Sequence, residues 1–134
     1  MALVAWIFAS IAAAIHVLVW AWEALLIGRP SVHQGVFGVP AADVPAIRLW
    51  AFGVGFYNLF LGVGLLLGVA LWITGQVPVG RALVLYVTAF MALSGVVLLV
   101  ADRLGMGRER GKGVGGALGE SVPALIAFGA TLLA

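Results

Sequence analysis

The chain has very few charged residues. Only 9% of its 134 residues are Asp, Glu, Lys or Arg, whereas a soluble domain carries about 25%. So few charges cannot cover the surface of a soluble domain, which excludes a soluble enzyme, a nucleic-acid-binding protein and a disordered tail. The hydrophobic share is 64%, and it indicates a protein whose solvent is lipid.

Cysteine is absent from the sequence. This absence excludes a disulfide framework, a thiolate nucleophile, and zinc or iron–sulfur sites with cysteine ligands. The remaining candidate ligands, His16, Glu23, His33 and Glu120, are too scattered to indicate a metal site. We therefore expect neither a metal nor any other cofactor.

Four apolar runs are long enough to cross a bilayer. They predict an all-α integral membrane protein, a single domain in which four helices form an up-down-up-down bundle. A cleaved signal peptide is the alternative for the first run, but no basic residue precedes it and it continues beyond Ala12–Ala14. The expected spans cover about residues 3–27, 50–74, 81–101 and 114–134.

Proline and glycine mark the ends of the spans. Asp43 can cap a helix with Pro45 in its first turn, and residues 75–80 are expected to form a short turn. Pro123 either kinks the fourth helix or lies in the first turn of a shorter one. Whether Glu120 lies inside that helix or before it stays open.

The basic residues are distributed unevenly over the loops. One side of the membrane receives all of them except Arg81, so the positive-inside rule places both long loops in the cytoplasm and both termini outside. The basic residues on the cytoplasmic side are Arg29, Arg48, Arg103, Arg108, Arg110 and Lys112.

Polar side chains occur inside all four spans. His16 and Glu23 are seven positions apart and therefore share one face of the first helix. Depths counted at about 1.5 Å per residue bring the polar groups of the four spans into the cytoplasmic half, which predicts a polar pocket there. The candidate residues are His16, Glu23, Tyr57, Asn58, Ser94 and Glu120.

Such a pocket suits proton transfer. A carboxyl in apolar surroundings favours its neutral form and can donate a proton. We expect Glu120 or Glu23 to be the acid or base, with His16 as its partner. The expected substrate-binding residues are Asn58, Tyr57 and Ser94. The hypothesis is a membrane-embedded acid–base enzyme of isomerase or cyclase type that acts on a lipophilic small molecule.

Each polar residue also has a structural alternative. Glu23 can pair with Arg29 or Arg103 near the interface, and His16 and Asn58 can simply bridge helices. The same groups would serve a proton-coupled carrier, a lipid-binding module or an accessory subunit of a complex, although no inverted repeat is visible. The expected partners are membrane lipids and a lipophilic molecule, without nucleic acid, and a homo-oligomer stays open.

Tryptophan and glycine patterns indicate membrane packing. Tryptophans fit the belts at membrane interfaces, and glycines four residues apart allow helices to approach closely. We expect this approach inside the bundle, and for the glycines of the fourth helix contact with a second protomer is the alternative. The tryptophans are Trp20, Trp22, Trp50 and Trp72, and the glycine sets are Gly64 with Gly68, and Gly111 with Gly115 and Gly119.

Several short motifs resemble a bacterial four-span membrane family, domain of unknown function 1304. Besides His16 and Glu23 they are residues 37–40 (FGVP), 55–61 (GFYNLFL) and 122–124 (VPA). The resemblance implies the four-span architecture and a bacterial plasma membrane, without an activity. Family members commonly carry Asn-Gln where this chain has Gly53 and Val54, and Gln where it has Glu120.

Overall fold

A computed structural model describes residues 1–106 and 109–134, and the described residues form helices without a strand. The α-helices are α1 (Ala2–Trp20), α2 (Pro30–His33), α3 (Val44–Ile73), α4 (Val77–Arg103) and α5 (Val114–Leu132). The first of them, α1, continues into one π-helical segment, Ala21–Leu25, and a 3-10 turn, Ala41–Asp43, precedes α3.

Four helices are long and apolar enough to cross a membrane: α1 with its π-helical segment, α3, α4 and α5. Both α3 and α4 begin ahead of the apolar runs, because Pro45 and Pro78 lie in their first turns, where a missing N–H leaves no bond unmade. The turn between them is therefore shorter than residues 75–80. The fifth helix continues through Pro123, so Glu120 lies inside it.

The four long helices pack in a ring, in the order α1, α3, α4, α5 and back to α1. At one end the indole rings of Trp6 and Trp72 meet edge to face, with centroids 5.8 Å apart. The guanidinium of Arg81 lies 5.6 Å from the Trp72 ring centroid and donates a hydrogen bond of 2.9 Å to the carbonyl oxygen of Thr131. We call these four residues the tryptophan end.

The half of the bundle next to the tryptophan end is packed tightly by small side chains. Alanines on α1 and α5 let the backbones of these two helices approach closely, and Leu65, Val84 and Met91 fill the space between the other helices. The buried alanines that belong to this core are Ala5, Ala9, Ala12 and Ala13 on α1, and Ala124, Ala127 and Ala130 on α5.

Two expectations about packing are wrong. Trp72 is only 7% exposed and packs inside the bundle, so it does not belong to an interfacial belt. A Cβ placed on Gly64, Gly115 or Gly119 would meet no atom within 4 Å, so these glycines permit no close approach in the bundle. Gly68 does, because its Cβ would lie 3.2 Å from the backbone nitrogen of Val84.

Gly80→Ala is expected to destabilise the protein. The added Cβ would overlap the backbone nitrogen of Trp72 and lie 2.7 Å from the carbonyl oxygen of Gly68, so α3 and α4 must separate. We expect a loss of about 1–3 kcal/mol of unfolding free energy, measured by thermal denaturation in detergent. Gly64→Ala is the control and should be neutral or slightly stabilising. Equal melting temperatures for both variants would contradict this packing.

Candidate functional site

The half of the bundle away from the tryptophan end encloses a cavity of about 1030 Å³, lined by all four long helices. We call it the central cavity. Its volume is at the upper end of the range for small-molecule sites, about 300–1,000 Å³. Most of its lining is apolar, and its polar lining residues are His16, Glu23, Tyr57, Asn58, Ser94, Asp102 and Glu120. The cavity thus brings together all six residues that the sequence singled out, whose chemical roles stay predictions.

Glycines on α5 leave space for this cavity because they carry no side chain. Gly116 and Gly119 line it from the first half of α5, and a Cβ on either would meet no atom within 4 Å. The second half of the same helix carries the alanines that pack against α1. The change from glycine to alanine along α5 therefore separates the open half of the bundle from the closed half.

A close contact between the π-helical segment and α3 positions Glu23. A Cβ on Gly55 would lie 3.1 Å from the Cβ of Ala24 and 3.2 Å from the Cβ of Glu23. This proximity lets Nδ2 of Asn58, one turn further along α3, donate a hydrogen bond of 2.9 Å to Oε2 of Glu23. Glu23 belongs to the π-helical segment, and such segments are frequent at functional sites.

His16 lies deeper in the cavity wall and is only 2% exposed. Its Nδ1 is 3.0 Å from the carbonyl oxygen of Ala12. Because a carbonyl can only accept, Nδ1 carries the proton, and Nε2 of the neutral ring is an acceptor. His16 and Glu23 are seven positions apart, which is about 10 Å along the helix. No described hydrogen bond joins this histidine to a carboxyl. His16 and Glu23 can therefore act as an acid–base pair only through a molecule that lies between them.

Glu120 faces the same cavity from α5. Its carboxyl is close enough to that of Glu23 for the two to interact electrostatically. Within residues 1–106 and 109–134, no hydrogen-bond donor or cation is paired with it. The pair of carboxyls therefore has a single described donor, the amide of Asn58.

Part of the cavity lining is exposed on the flank formed by α3 and α4. Its most exposed lining side chains on these helices are Tyr57 at 67%, Leu93 at 66% and Val97 at 65%. All three are large and largely apolar, and they lie on helices of membrane-spanning length. This flank is suited to contact with lipid.

Asp102 lines the central cavity near the loop between α4 and α5, and it was not among the residues predicted from the sequence. Its Oδ1 accepts a hydrogen bond of 2.7 Å from the backbone N–H of Gly113, and its Oδ2 one of 2.8 Å from that of Gly111. It thereby ties the end of α4 to the start of α5. The sequence does not identify this role, because the partners of Asp102 are backbone groups nine and eleven residues away.

Asp102→Ala is expected to lower the unfolding free energy by about 2 kcal/mol, because two N–H groups lose a charged acceptor. Asp43→Ala is the matched control. Asp43 precedes α3 but makes no capping hydrogen bond with its side chain, contrary to the expectation from the sequence. This control should change stability by less than about 0.5 kcal/mol. Chemical denaturation of both variants measures the difference, and equal losses would refute the role of Asp102.

A smaller cavity of about 240 Å³ adjoins the loop side of the central cavity. The two share Glu23, Phe37 and Met106, so the Glu23 carboxyl borders both. Phe37 belongs to the 37–40 motif on which the family resemblance rests. This motif is the sequence signal that could have identified Phe37 as a residue of the cavity. In the described part of the chain, no three His, Asp or Glu residues are grouped so that they could hold a metal ion.

Comparison with known proteins gives one family. A family model described as "Protein of unknown function (DUF1304)" matches residues 10–132, nearly the whole chain. It confirms the resemblance drawn from the motifs. Searches of curated proteins and of solved structures find no match.

Proposed function

The chain belongs to the DUF1304 family, and we propose from its central cavity that it is a membrane-embedded acid–base enzyme of isomerase or cyclase type with a lipophilic substrate. One observation carries the proposal. Two neighbouring carboxyls, Glu23 and Glu120, face a large and mostly apolar cavity between helices of membrane-spanning length. Apolar lining suits the body of such a substrate, and the carboxyls suit proton transfer to and from it.

In the proposed reaction Glu120 is the acid and Glu23 is the base. Nδ2 of Asn58 is a donor and contacts Oε2 of Glu23, so this oxygen is an acceptor. Glu120 donates a proton to one carbon of a double bond, which leaves the positive charge on the other carbon. Glu23 then removes a proton from the next carbon along, and a new double bond forms between these two carbons. The proton then returns from Glu23 to Glu120, so atoms and charge balance without an oxidant or reductant.

The other polar residues orient the substrate in this proposal. His16 presents Nε2 about 10 Å deeper than Glu23, where it accepts a hydrogen bond from the far part of the molecule. Tyr57 and Ser94 line the cavity from α3 and α4 and offer hydroxyl groups to a substrate oxygen. The substrate enters from the bilayer, through the flank on which Tyr57, Leu93 and Val97 are exposed.

We further propose an up-down-up-down arrangement in a bacterial plasma membrane, with both termini outside. The contact of Trp6 with Trp72 and the bond from Arg81 to Thr131 support alternating helix directions. Arg81 and both chain termini then share the outer side. The basic residues assigned to the cytoplasmic side are Arg29, Arg48, Arg103, Arg110, Lys112 and Arg108, the last of which lies outside the described residues.

The test measures whether hydrogen from the solvent is transferred to carbon atoms of a lipid. The protein is reconstituted in lipid nanodiscs and incubated in D₂O with isoprenoid, sterol-like and quinone-like lipids. We expect one lipid to be converted to an isomer that carries deuterium on carbon, which mass spectrometry detects as a gain in mass. Flux driven by a pH gradient in proteoliposomes, without conversion, would instead establish a carrier. Retention of an unchanged lipid would establish a binding module.

A further inference from the structure

Among the described residues, the charged side chains that line the central cavity are all acidic. They are Glu23, Asp102 and Glu120, and no Lys or Arg is among the described residues of the lining. Asp102 already accepts hydrogen bonds from the backbone at the start of α5. The two glutamates are therefore the groups that a bound molecule meets.

The pair of glutamates lacks a positive partner in the described part of the chain. Asn58 supplies one neutral N–H to Glu23, and Glu120 has no described donor or cation. Burying a charge is costly unless it is paired, and two neighbouring carboxylates disfavour each other. A cation placed between them removes both penalties.

Aromatic rings in the same wall point to the same kind of ligand. Trp22 and Phe37 line the cavity together with Glu23, and Tyr57 lies next to Asn58 on α3. Aromatic faces attract cations, and aromatic cages recognise quaternary ammonium groups. An anionic head group would find no positive side chain in the described lining.

We propose that the central cavity selects lipophilic molecules whose head group is positively charged or becomes so during the reaction, with that charge held between Glu23 and Glu120 beside the aromatic rings. The inference deepens the proposed function and rests on it in taking the cavity as the binding site. It names the substrate class as an alkyl or isoprenoid amine, or a molecule that reacts through a carbocation.

The experiment compares three tritiated probes with the same dodecyl chain: dodecyltrimethylammonium, dodecanol and dodecanoate. Each is titrated against the protein in phosphatidylcholine nanodiscs, and empty nanodiscs correct for partitioning into the bilayer. We expect the ammonium probe to bind at least tenfold more tightly than the alcohol, and the carboxylate not to bind. The formal net charge of the chain is +2, so general electrostatic attraction would favour the opposite order.

Two variants test whether Glu23 and Glu120 hold the positive charge of the ammonium probe. Glu23→Gln and Glu120→Gln should each weaken binding of the ammonium probe at least tenfold and change binding of dodecanol less than twofold. Glu109→Gln is the control, because Glu109 is exposed in the loop before α5 and pairs with Lys112. It should bind all probes as the wild type does.

The outcomes separate this inference from the proposed function. Equal binding of the three probes, or unchanged binding of the ammonium probe to Glu120→Gln, overturns the preference for positive charge and leaves the proton-transfer proposal standing. Failure of every probe to bind to folded protein, together with no lipid conversion in D₂O, overturns both. Conversion of a lipid in D₂O by a protein without charge preference overturns the inference alone.

Discussion

Glu120→Gln is expected to lower the rate of lipid conversion by about 100-fold or more, because general acid–base catalysis contributes 10²–10⁴ in rate. Glutamine matches the shape of glutamate but cannot exchange a proton with the substrate. The stability of the protein should change by less than about 0.5 kcal/mol, since Glu120 has no described hydrogen-bond partner that the substitution would orphan. Deuterium incorporation measures the rate, and thermal denaturation measures the stability.

Two further variants make this result specific. Glu23→Gln should lose turnover to a similar extent, because it removes the base of the same proton transfer. Glu109→Gln also removes one carboxyl, but this carboxyl lies outside the central cavity, so wild-type turnover is expected. Full turnover in both Glu120→Gln and Glu23→Gln would eliminate the assignment of acid and base.

Gly119→Phe is expected to abolish binding in the central cavity while the protein stays folded. A Cβ at this position would meet no atom within 4 Å, and Gly119 lines the central cavity, so we expect the larger side chain to extend into the cavity. The benzyl group would occupy space that the ligand needs, so we expect a loss of affinity for dodecyltrimethylammonium of about 100-fold or more, equivalent to about 2.7 kcal/mol. Retention of the tritiated probe on nanodiscs measures it.

The control for this variant is Gly115→Phe. Gly115 lies one turn earlier on α5 and also has no neighbour within 4 Å for a Cβ, but it does not line the central cavity. Gly115→Phe should bind the probe as the wild type does. Wild-type affinity in Gly119→Phe, or an equal loss in both variants, would show that the ligand does not occupy this cavity.

The spans and the grouping of the polar residues were accessible from the sequence for a physical reason. In a bilayer an ionisable side chain is tolerated mainly toward the bundle interior, so the depth and face of His16, Glu23, Asn58 and Glu120 together predict that they converge. The structure places them around one cavity. Regular helical rise makes such estimates accurate enough to group residues.

Contacts that depend on the partner helix could not be predicted from the sequence. The cap formed by Asp102 needs two backbone N–H groups beyond a loop, and a sequence pattern shows only the acid. The same limit applies to glycine, since spacing alone cannot tell Gly68, which meets α4, from Gly119, which faces empty space. The π-helical segment that carries Glu23 has no sequence signal that we identified.

The tryptophan end closes the bundle on one side of the cavity. The Trp6–Trp72 contact, the Arg81 hydrogen bond and the alanine packing fill the bundle beyond His16. In the proposed reaction, a product formed at Glu120 would therefore not leave through the tryptophan end. Product and substrate would compete for the same space, so the proposal implies competitive inhibition by the product.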